Sequence, residues 1–375
     1  MFGQQVTTRL PWKEFSPGLY AVGYKVIFAF DRSRTWRATR TGKDAFAADL
    51  TGRPVRISVW YPAAPRHTAT MRILDYIQPA SPAGFMEANA ALERRDRRVM
   101  AEMVPPNAFE SLLNTRMQAH ARAVPAEGKF PLVLYFGGIN AYTLSNGIMA
   151  EVLASHGYIV VTVPSLGPTN AQTEQSYSPA QMESAIRDLE FAWSRIRNDS
   201  NVDDPRIAVF GHSLGGTMAM ILAMRNANVL AAAGLDGTYG FNDGFDTLTG
   251  YYGYAPDRMR AAVLDLRRET KDLNLTAVHA FQFSDRFLVT LSNVLHGDFT
   301  TFIVVARAFH LPPPSDAPVG RTIETGYLGF KQTCTIIRWF LDATMKGNQR
   351  DRERLVVEMR ARPNVVVSHE ASLPP

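Results

Sequence analysis

Short apolar runs alternate with longer amphipathic segments along most of this 375-residue chain. Turn-forming residues bound the apolar runs, as is typical of strands buried on both faces of a parallel sheet. Eight runs predict strands, at residues 24–30, 55–61, 131–136, 159–163, 207–210, 231–235, 261–266 and 287–292. Helical periodicity predicts helices at residues 147–156, 179–197, 216–226 and 322–346. The alternation predicts an α/β fold with a mostly parallel eight-stranded sheet flanked by helices.

Two segments do not fit this alternation. Residues 65–128 form a helical insertion in our prediction, with helices at 83–103 and 107–123 separated by Pro105-Pro106. Residues 238–257 combine six aromatic residues with several glycines. We predict one domain over residues 1–375, with the aromatic segment as a loop over the site.

Composition and charge restrict the functional classes. The chain is 46% hydrophobic with a net charge of +5, and its basic residues are scattered without the aromatic-plus-basic motifs of nucleic-acid binding. The densest charged run, residues 93–98, mixes both signs and predicts the outer face of a helix, with an anionic-partner patch as the alternative. We therefore expect no nucleic-acid partner; the oligomeric state stays open.

The single cysteine, Cys334, lies in an apolar helical run, which predicts a core position and excludes an intramolecular disulfide. No run is long and apolar enough to cross a bilayer, and residues 1–12 lack the apolar region of a signal peptide. A cytoplasmic location without stable membrane insertion is the expectation from these features.

The candidate nucleophile is Ser213, in the sequence Gly211-His212-Ser213-Leu214-Gly215. This stretch follows a predicted strand and opens a predicted helix, the context of a nucleophile elbow. Glycines two residues before and after the serine allow strand and helix to approach closely. The alternative is a tight turn with an inert serine.

A serine hydroxyl needs a base and a group that orients the base. In the elbow context the chain order is Ser, then acid, then His. Asp236 ends the strand after the elbow and is the candidate acid, in competition with Asp265 and Asp285. His296, in a polar turn after the last predicted strand, is the candidate base, and His310 is the second choice.

The other histidines are weaker candidates for the base. His212 is expected to point away from Ser213, and the remaining five lie before the serine, in an alternating segment or in the tail: His67, His120, His156, His279 and His369.

Backbone N–H groups must bind the oxyanion that forms during acyl transfer. The residue after the nucleophile is Leu214, and the loop after the third predicted strand contains Gly137, Gly138 and Ile139. We predict that the amides of Leu214, Gly138 and Ile139 form the oxyanion hole.

With these residues placed, the chain resembles the platelet-activating-factor acetylhydrolase and dienelactone-hydrolase-like branch of the α/β-hydrolases. Matching stretches lie between residues 22 and 347 and include 56–62, 129–133, 154–158, 211–216, 235–237, 296–299 and 340–347. The resemblance implies an acid after the sixth strand, in agreement with Asp236 and not with Asp265 or Asp285. It also implies an ester hydrolase for short acyl groups that works without a cofactor.

The sequence thus predicts a serine hydrolase that cleaves small-molecule carboxylic esters through an acyl-serine intermediate. Acyl transfer and peptide or polyester cleavage would use the same triad, and a catalytically silent binding module is the alternative from another class. We expect Tyr239, Tyr252 and Tyr254 of the aromatic segment to form the wall of the acyl pocket, together with the helical insertion. Alternatively, these tyrosines pack onto the sheet or form a dimer contact.

Overall fold

The computed structural model describes residues 10–37, 52–65, 69–315, 317–362 and 364–374. Over these residues the strands form one ten-stranded sheet in the order β10-β9-β8-β7-β6-β4-β5-β2-β1-β3. Its strands are β1 (Ala21–Asp31), β2 (Arg53–Ala63), β3 (His120–Ala121), β4 (Phe130–Phe136), β5 (Ile159–Thr162), β6 (Val202–His212), β7 (Val229–Leu235), β8 (Ala262–Arg268), β9 (Arg286–Leu291) and β10 (Val365–Glu370).

The six central strands, β9 through β5 in the sheet order, are all parallel to one another. Strands β1, β2 and β10 join antiparallel at the two sides. The parallel strands share one carboxyl-terminal edge, so residues that follow them in sequence meet there. This edge carries the candidate site.

Helices cover both faces of the sheet. They are α1 (Ile73–Ile77), α2 (Met86–Met103), α3 (Phe109–Asn114), α4 (Gly147–Ser155), α5 (Pro179–Ile196), α6 (Leu214–Arg225), α7 (Asn242–Thr249), α8 (Thr276–His279), α9 (Phe302–Ala308), α10 (Ile323–Met345) and α11 (Gln349–Glu353), with short 3₁₀ turns and a π turn between some of them.

Strand β4 shows why the apolar runs are continuous. Leu132 and Leu134 belong to the core cluster that contains α5 and α6, whereas Val133 and Tyr135 belong to the cluster that contains α4 and α10. Both faces of the strand are therefore buried, and an apolar side chain is stabilising at every position.

All eight predicted strands form, and the sheet has ten strands because β3 and β10 extend it. Strand β3 lies inside the predicted helix 107–123, of which only the short 3₁₀ turn Pro106–Ala108 and α3 are helical. Beyond α3 the backbone pairs with Met71, which donates to the Ala119 carbonyl at 2.8 Å, and His120 pairs with Gly23 of β1. These partners replace the i to i−4 bonds of a helix.

The charged run in α2 is only partly an outer face. Arg94 and Arg98 are exposed, but Arg95 and Asp96 are buried. Asp96 accepts hydrogen bonds from the backbone N–H of Thr143 at 3.1 Å and from its hydroxyl at 2.5 Å. The insertion is thereby attached to the segment after β4.

Cys334 is buried in α10, as predicted. Among the described residues, no helix combines the length and apolar character required to cross a bilayer.

Candidate active site

Ser213 occupies a sharp turn between β6 and α6. Its backbone angles are φ 57° and ψ −125°, a region that residues with a side chain rarely adopt. The turn is attached to the end of the next strand, because Ser213 N–H donates to the Leu235 carbonyl at 3.1 Å and its own carbonyl accepts from Thr238 N–H at 3.0 Å. Ser213 thus lies at the carboxyl-terminal edge of the sheet.

The two glycines of the motif are required by the close approach of backbone segments. A Cβ atom on Gly211 would lie 2.1 Å from the Gly215 carbonyl oxygen, and a Cβ atom on Gly215 would lie 2.3 Å from the Phe136 carbonyl oxygen. Both distances are far below van der Waals contact. The spacing of the motif is therefore a steric requirement of this turn.

Asp236 follows β7 and directs its carboxylate to His296. Its Oδ2 atom is 2.5 Å from His296 Nδ1, and its Oδ1 atom accepts from the backbone N–H of Arg268 at 3.0 Å. Burial alone would raise the pKa of Asp236, but the hydrogen bond and charge of His296, with Arg268, lower it below its ordinary value. Asp236 is therefore an ionised acceptor for the imidazole N–H.

The competing carboxylates lie elsewhere. Asp265 accepts from the Tyr239 hydroxyl at 2.8 Å and pairs with Arg267. Asp285 precedes β9, at the opposite edge of the sheet, where it pairs with Arg352 and His369.

His296 begins a 3₁₀ turn, His296–Phe299, and its side chain is 44% exposed. Asp298 fixes this turn, because it accepts from Leu295 N–H at 2.7 Å and forms a buried ion pair with Arg321. The exposed ring edge and the fixed backbone suit a residue that must contact both Ser213 and a substrate.

The other described histidines contact different groups. His279 pairs with Glu370, His369 with Asp285, and His156 Nε2 lies 2.9 Å from the Ser16 carbonyl oxygen. His310 is exposed after α9, and His120 lies in β3. His67 is outside the described residues.

His212, whose side chain we expected to point away from Ser213, contacts His296. Its ring packs against the His296 ring at a tilt of 33°, with centroids 4.4 Å apart, and its Nε2 atom lies 3.0 Å from the His296 carbonyl oxygen. Burial, and secondly the nearby His296, lower the pKa of His212 to about 3. His212 is consequently neutral at ordinary pH, and with the proton on Nε2 it can donate to the backbone of His296.

The loop after β4 passes directly over the elbow. A Cβ atom on Gly138 would lie 3.2 Å from Ser213 Cβ, so this loop and the start of α6, at Leu214, flank the serine. Asn140 and Gln175 hold the loop reciprocally: Gln175 N–H donates to Asn140 Oδ1 at 2.7 Å, and Asn140 N–H donates to Gln175 Oε1 at 3.2 Å. These hydrogen bonds hold the loop that carries the amides of Gly138 and Ile139, beside Leu214 at the start of α6.

A cavity opens beside this loop. Its walls come from the ends of β4 and β5, the segments that follow them, and one residue each of α5 and α6: Tyr135, Phe136, Gly137, Gly138, Ala141, Tyr142, Thr143, Ser145, Thr162, Val163, Pro164, Ser165, Gln175, Ala185 and Met218. The insertion supports this wall from behind, through Asp96 at Thr143 and through Arg95, which donates to the Ser165 carbonyl at 2.8 Å.

The predicted tyrosine wall is corrected by the structure, since none of the three tyrosines lines this cavity. Tyr239 is fully buried beneath Gly234, and Tyr252 is 72% exposed and stacks on Tyr251. Tyr254 is half-buried and packs against the core cluster of α5 and α6. Tyr251 donates to Glu183 of α5, so the aromatic segment packs beside the helices and does not form a wall of this cavity.

Sequence reasoning missed Arg268, the last residue of β8. Its guanidinium contacts both Asp236 and His296 and stacks on the Phe241 ring at 4.5 Å. The sequence did contain a signal for Arg268, since it is a charged residue just after a predicted strand. However, only the sheet order shows that this strand, β8, lies beside β7.

The chain is similar in sequence to a known protein family and to several cutinases. The sequence profile of the Chlorophyllase family matches residues 117–262. Cutinase 2 of Thermobifida cellulosilytica is 36% identical over 86 residues, 22% of this chain and 30% of the cutinase. Cutinase est1 of Thermobifida alba is 30% identical over 148 residues, 34% of this chain and 48% of that protein. The chain spans less than half the length of these relatives.

A solved structure extends the likeness over nearly the whole chain. The ferulic acid esterase of Streptomyces cinnamoneus superposes with a TM-score of 0.68 at 19% identity, covering 96% of this chain and 99% of that one. The chain has the α/β-hydrolase fold, as the sequence predicted.

Proposed function

We propose that this protein is a serine hydrolase of carboxylic esters. The observation that carries the proposal is the 2.5 Å contact between Asp236 Oδ2 and His296 Nδ1 beside a serine in a strained elbow. Relatives named cutinase and ferulic acid esterase support the ester class of substrate.

The reaction follows from the site. Ser213 Oγ bonds to the ester carbonyl carbon while its proton passes to His296 Nε2, and Asp236 stabilises the imidazolium. The amide of Leu214, with that of Ile139 or Gly138, binds the oxyanion. The bond to the alcohol breaks, and the alcohol leaves with the proton from His296. Water then attacks the acyl-serine by the same steps, with His296 accepting its proton, and the carboxylic acid leaves as Ser213 regains a proton.

The cavity beside Gly138 supports a preference for short acyl groups. The buried rings of Tyr135 and Tyr142 form part of its wall. We propose acetyl to butyryl esters as the preferred substrates, as in the acetylhydrolase-like branch that the sequence resembles.

The cytoplasmic location stays a prediction.

The test combines labelling and turnover. A fluorophosphonate should phosphonylate Ser213 with loss of fluoride, and Ser213→Ala should lower the turnover of p-nitrophenyl butyrate by about 10⁴-fold or more. Ser194→Ala is the matched control, because Ser194 is exposed on α5 and its hydroxyl donates to the Phe191 carbonyl at 2.7 Å. Parent-like turnover in the Ser213 variant would refute the proposal.

The same assay separates the alternatives. A series from acetate to palmitate tests acyl length, and an added alcohol acceptor distinguishes transfer from hydrolysis by its ester product. Peptide amides and polyester films test the other two substrate classes. A folded parent protein that neither reacts with the fluorophosphonate nor cleaves any ester would favour a binding module.

A further inference from the structure

Several polar side chains on the wall of the cavity beside the loop after β4 are already hydrogen-bonded within the protein. The hydroxyls of Tyr135 and Ser145 lie 3.0 Å apart. The Thr143 hydroxyl donates to Asp96 Oδ2 at 2.5 Å, and the Thr162 hydroxyl donates to the Tyr135 carbonyl at 3.0 Å. These groups need no partner from a ligand.

Tyr142 differs from these groups. Its side chain lines the cavity and is 7% exposed, and its hydroxyl has no hydrogen-bond partner among the described residues. Burial, and secondly the nearby Tyr135, raise the pKa of Tyr142, so its hydroxyl stays protonated and can donate. A buried hydroxyl without a partner is destabilising, because it has lost its hydrogen bonds to water.

Gln175, from the segment before α5, carries a second free donor on a residue that lines the same cavity. Its Oε1 atom accepts from Asn140 N–H at 3.2 Å. A backbone N–H can only donate, so the oxygen of the Gln175 amide must face it and the NH₂ group is turned elsewhere. The Nε2 atom has no partner among the described residues, and it remains accessible because the side chain is only half-buried.

An unsubstituted acyl chain satisfies neither group. Acetyl and butyryl chains have only apolar carbon atoms beyond the ester carbonyl, so they leave the Tyr142 hydroxyl and the Gln175 amide unpaired. An oxygen atom on the chain can accept hydrogen bonds from these donors. A site with such polar groups discriminates against substrates that lack the matching group, because its own donors then stay unpaired.

We propose that the cavity selects short acyl chains that carry a hydroxyl or keto oxygen, such as 3-hydroxybutyryl, with Tyr142 and Gln175 as specificity-determining residues. This proposal rests on the proposed function and narrows its substrate class, while the limit to short chains stays the same. The two donors bind the acyl oxygen while Ser213 attacks the ester carbonyl.

The experiment compares kcat/KM for p-nitrophenyl 3-hydroxybutyrate and p-nitrophenyl butyrate, which differ by one hydroxyl group. The ratio of the two values is divided by the corresponding ratio for hydrolysis by hydroxide without enzyme, which removes the intrinsic reactivity of each ester. We expect a corrected ratio of about 5 to 25 in the parent, because each hydrogen bond contributes about fivefold.

Two variants each remove one donor. Tyr142→Phe lacks only the hydroxyl and should lower the corrected ratio about fivefold. Gln175→Glu keeps an oxygen that can face Asn140 and loses the NH₂ group, so it should lower the ratio by about the same factor. The matched controls are Tyr177→Phe and Gln172→Glu, whose side chains are exposed and do not line the cavity. Both controls should keep the parent ratio.

The corrected ratio separates recognition from packing, because a general disturbance of the fold affects both esters alike. A parent ratio of one or less overturns the proposal, as does a parent ratio that neither variant lowers. Absence of Ser213 labelling and of turnover with either ester would refute the function itself, whereas cleavage of both esters at a corrected ratio of one refutes only this inference.

Discussion

Asp236 Oδ2 lies 2.5 Å from His296 Nδ1, although 60 positions separate the two residues in the chain. The contact forms because Asp236 directly follows β7 and the loop after β9 places His296 at the same edge of the sheet. This contact determines the tautomer of the His296 ring, which carries its proton on Nδ1 and a free electron pair on Nε2.

Asp236→Asn should therefore lower turnover by about 10⁴-fold, because an amide can stabilise the wrong tautomer. Asp285→Asn is the matched control, since Asp285 pairs with Arg352 and His369 at the opposite edge. The measurement is kcat for p-nitrophenyl butyrate, with circular dichroism to verify folding. A severe loss at Asp285 and a mild one at Asp236 would assign the acid to the later position.

Gly138→Ala tests the close packing of the loop on the elbow. The added Cβ atom would lie 3.2 Å from Ser213 Cβ and 3.4 Å from His212 Nδ1, so the loop must move away from the serine. Loss of one oxyanion donor lowers kcat by about 10²- to 10³-fold, and we expect a decrease of that order. Gly240→Ala is the control, because an added Cβ atom there meets no atom within 4 Å. Equal kcat values in the two variants would contradict this account.

Met218→Ala tests which residues limit the acyl chain. Met218 lies in α6 and lines the cavity beside Gly138, so truncation should raise the ratio of octanoate to butyrate turnover. We expect a loss of about 2–5 kcal/mol in the free energy of unfolding, which urea titration measures.

Tyr252→Ala is the comparison for Met218→Ala, because Tyr252 is mostly exposed and does not line the cavity. Its acyl-length profile should equal that of the parent. A shift in Tyr252→Ala without one in Met218→Ala would restore the aromatic segment as the pocket wall.

Glu151 provides a test of stability against pH. It is buried in α4 and accepts from the Tyr76 hydroxyl at 2.7 Å and Ala119 N–H at 3.0 Å. Burial raises its pKa from 4.5 to about 7. The folded state thus binds this proton more tightly than the unfolded state, so the stabilisation is complete below pH 4.5 and is lost as the pH rises through 7.

The corresponding variant is Glu151→Gln, which is neutral throughout. Between pH 5 and pH 8 its free energy of unfolding should increase relative to the parent by about 2–3 kcal/mol. Urea titrations at the two pH values measure this change, with exposed Glu110→Gln as control. Parallel pH curves for the parent and Glu151→Gln would show that Glu151 does not ionise in this range.

The sequence by itself determined the features that depend on neighbours along the chain. The elbow could be predicted because its steric requirements involve residues close together in the chain. These requirements are the strained backbone of Ser213 and the close approach of Gly211 to Gly215. The strands could be predicted because burial on both faces makes their apolar runs continuous. Asp236 and His296 could be proposed because each ends or follows a strand at the edge that carries the serine.

The tertiary structure alone decided two kinds of feature. These are the contacts between residues of adjacent strands and the direction in which a side chain points. Arg268 reaches Asp236 because β8 lies beside β7, and no pattern along the chain encodes that adjacency. Tyr239 turned inward because Gly234 leaves space for its ring. Arg95 and Asp96 are buried because the insertion packs on the segment after β4. Such contacts join residues far apart in sequence, so composition and periodicity carry no record of them.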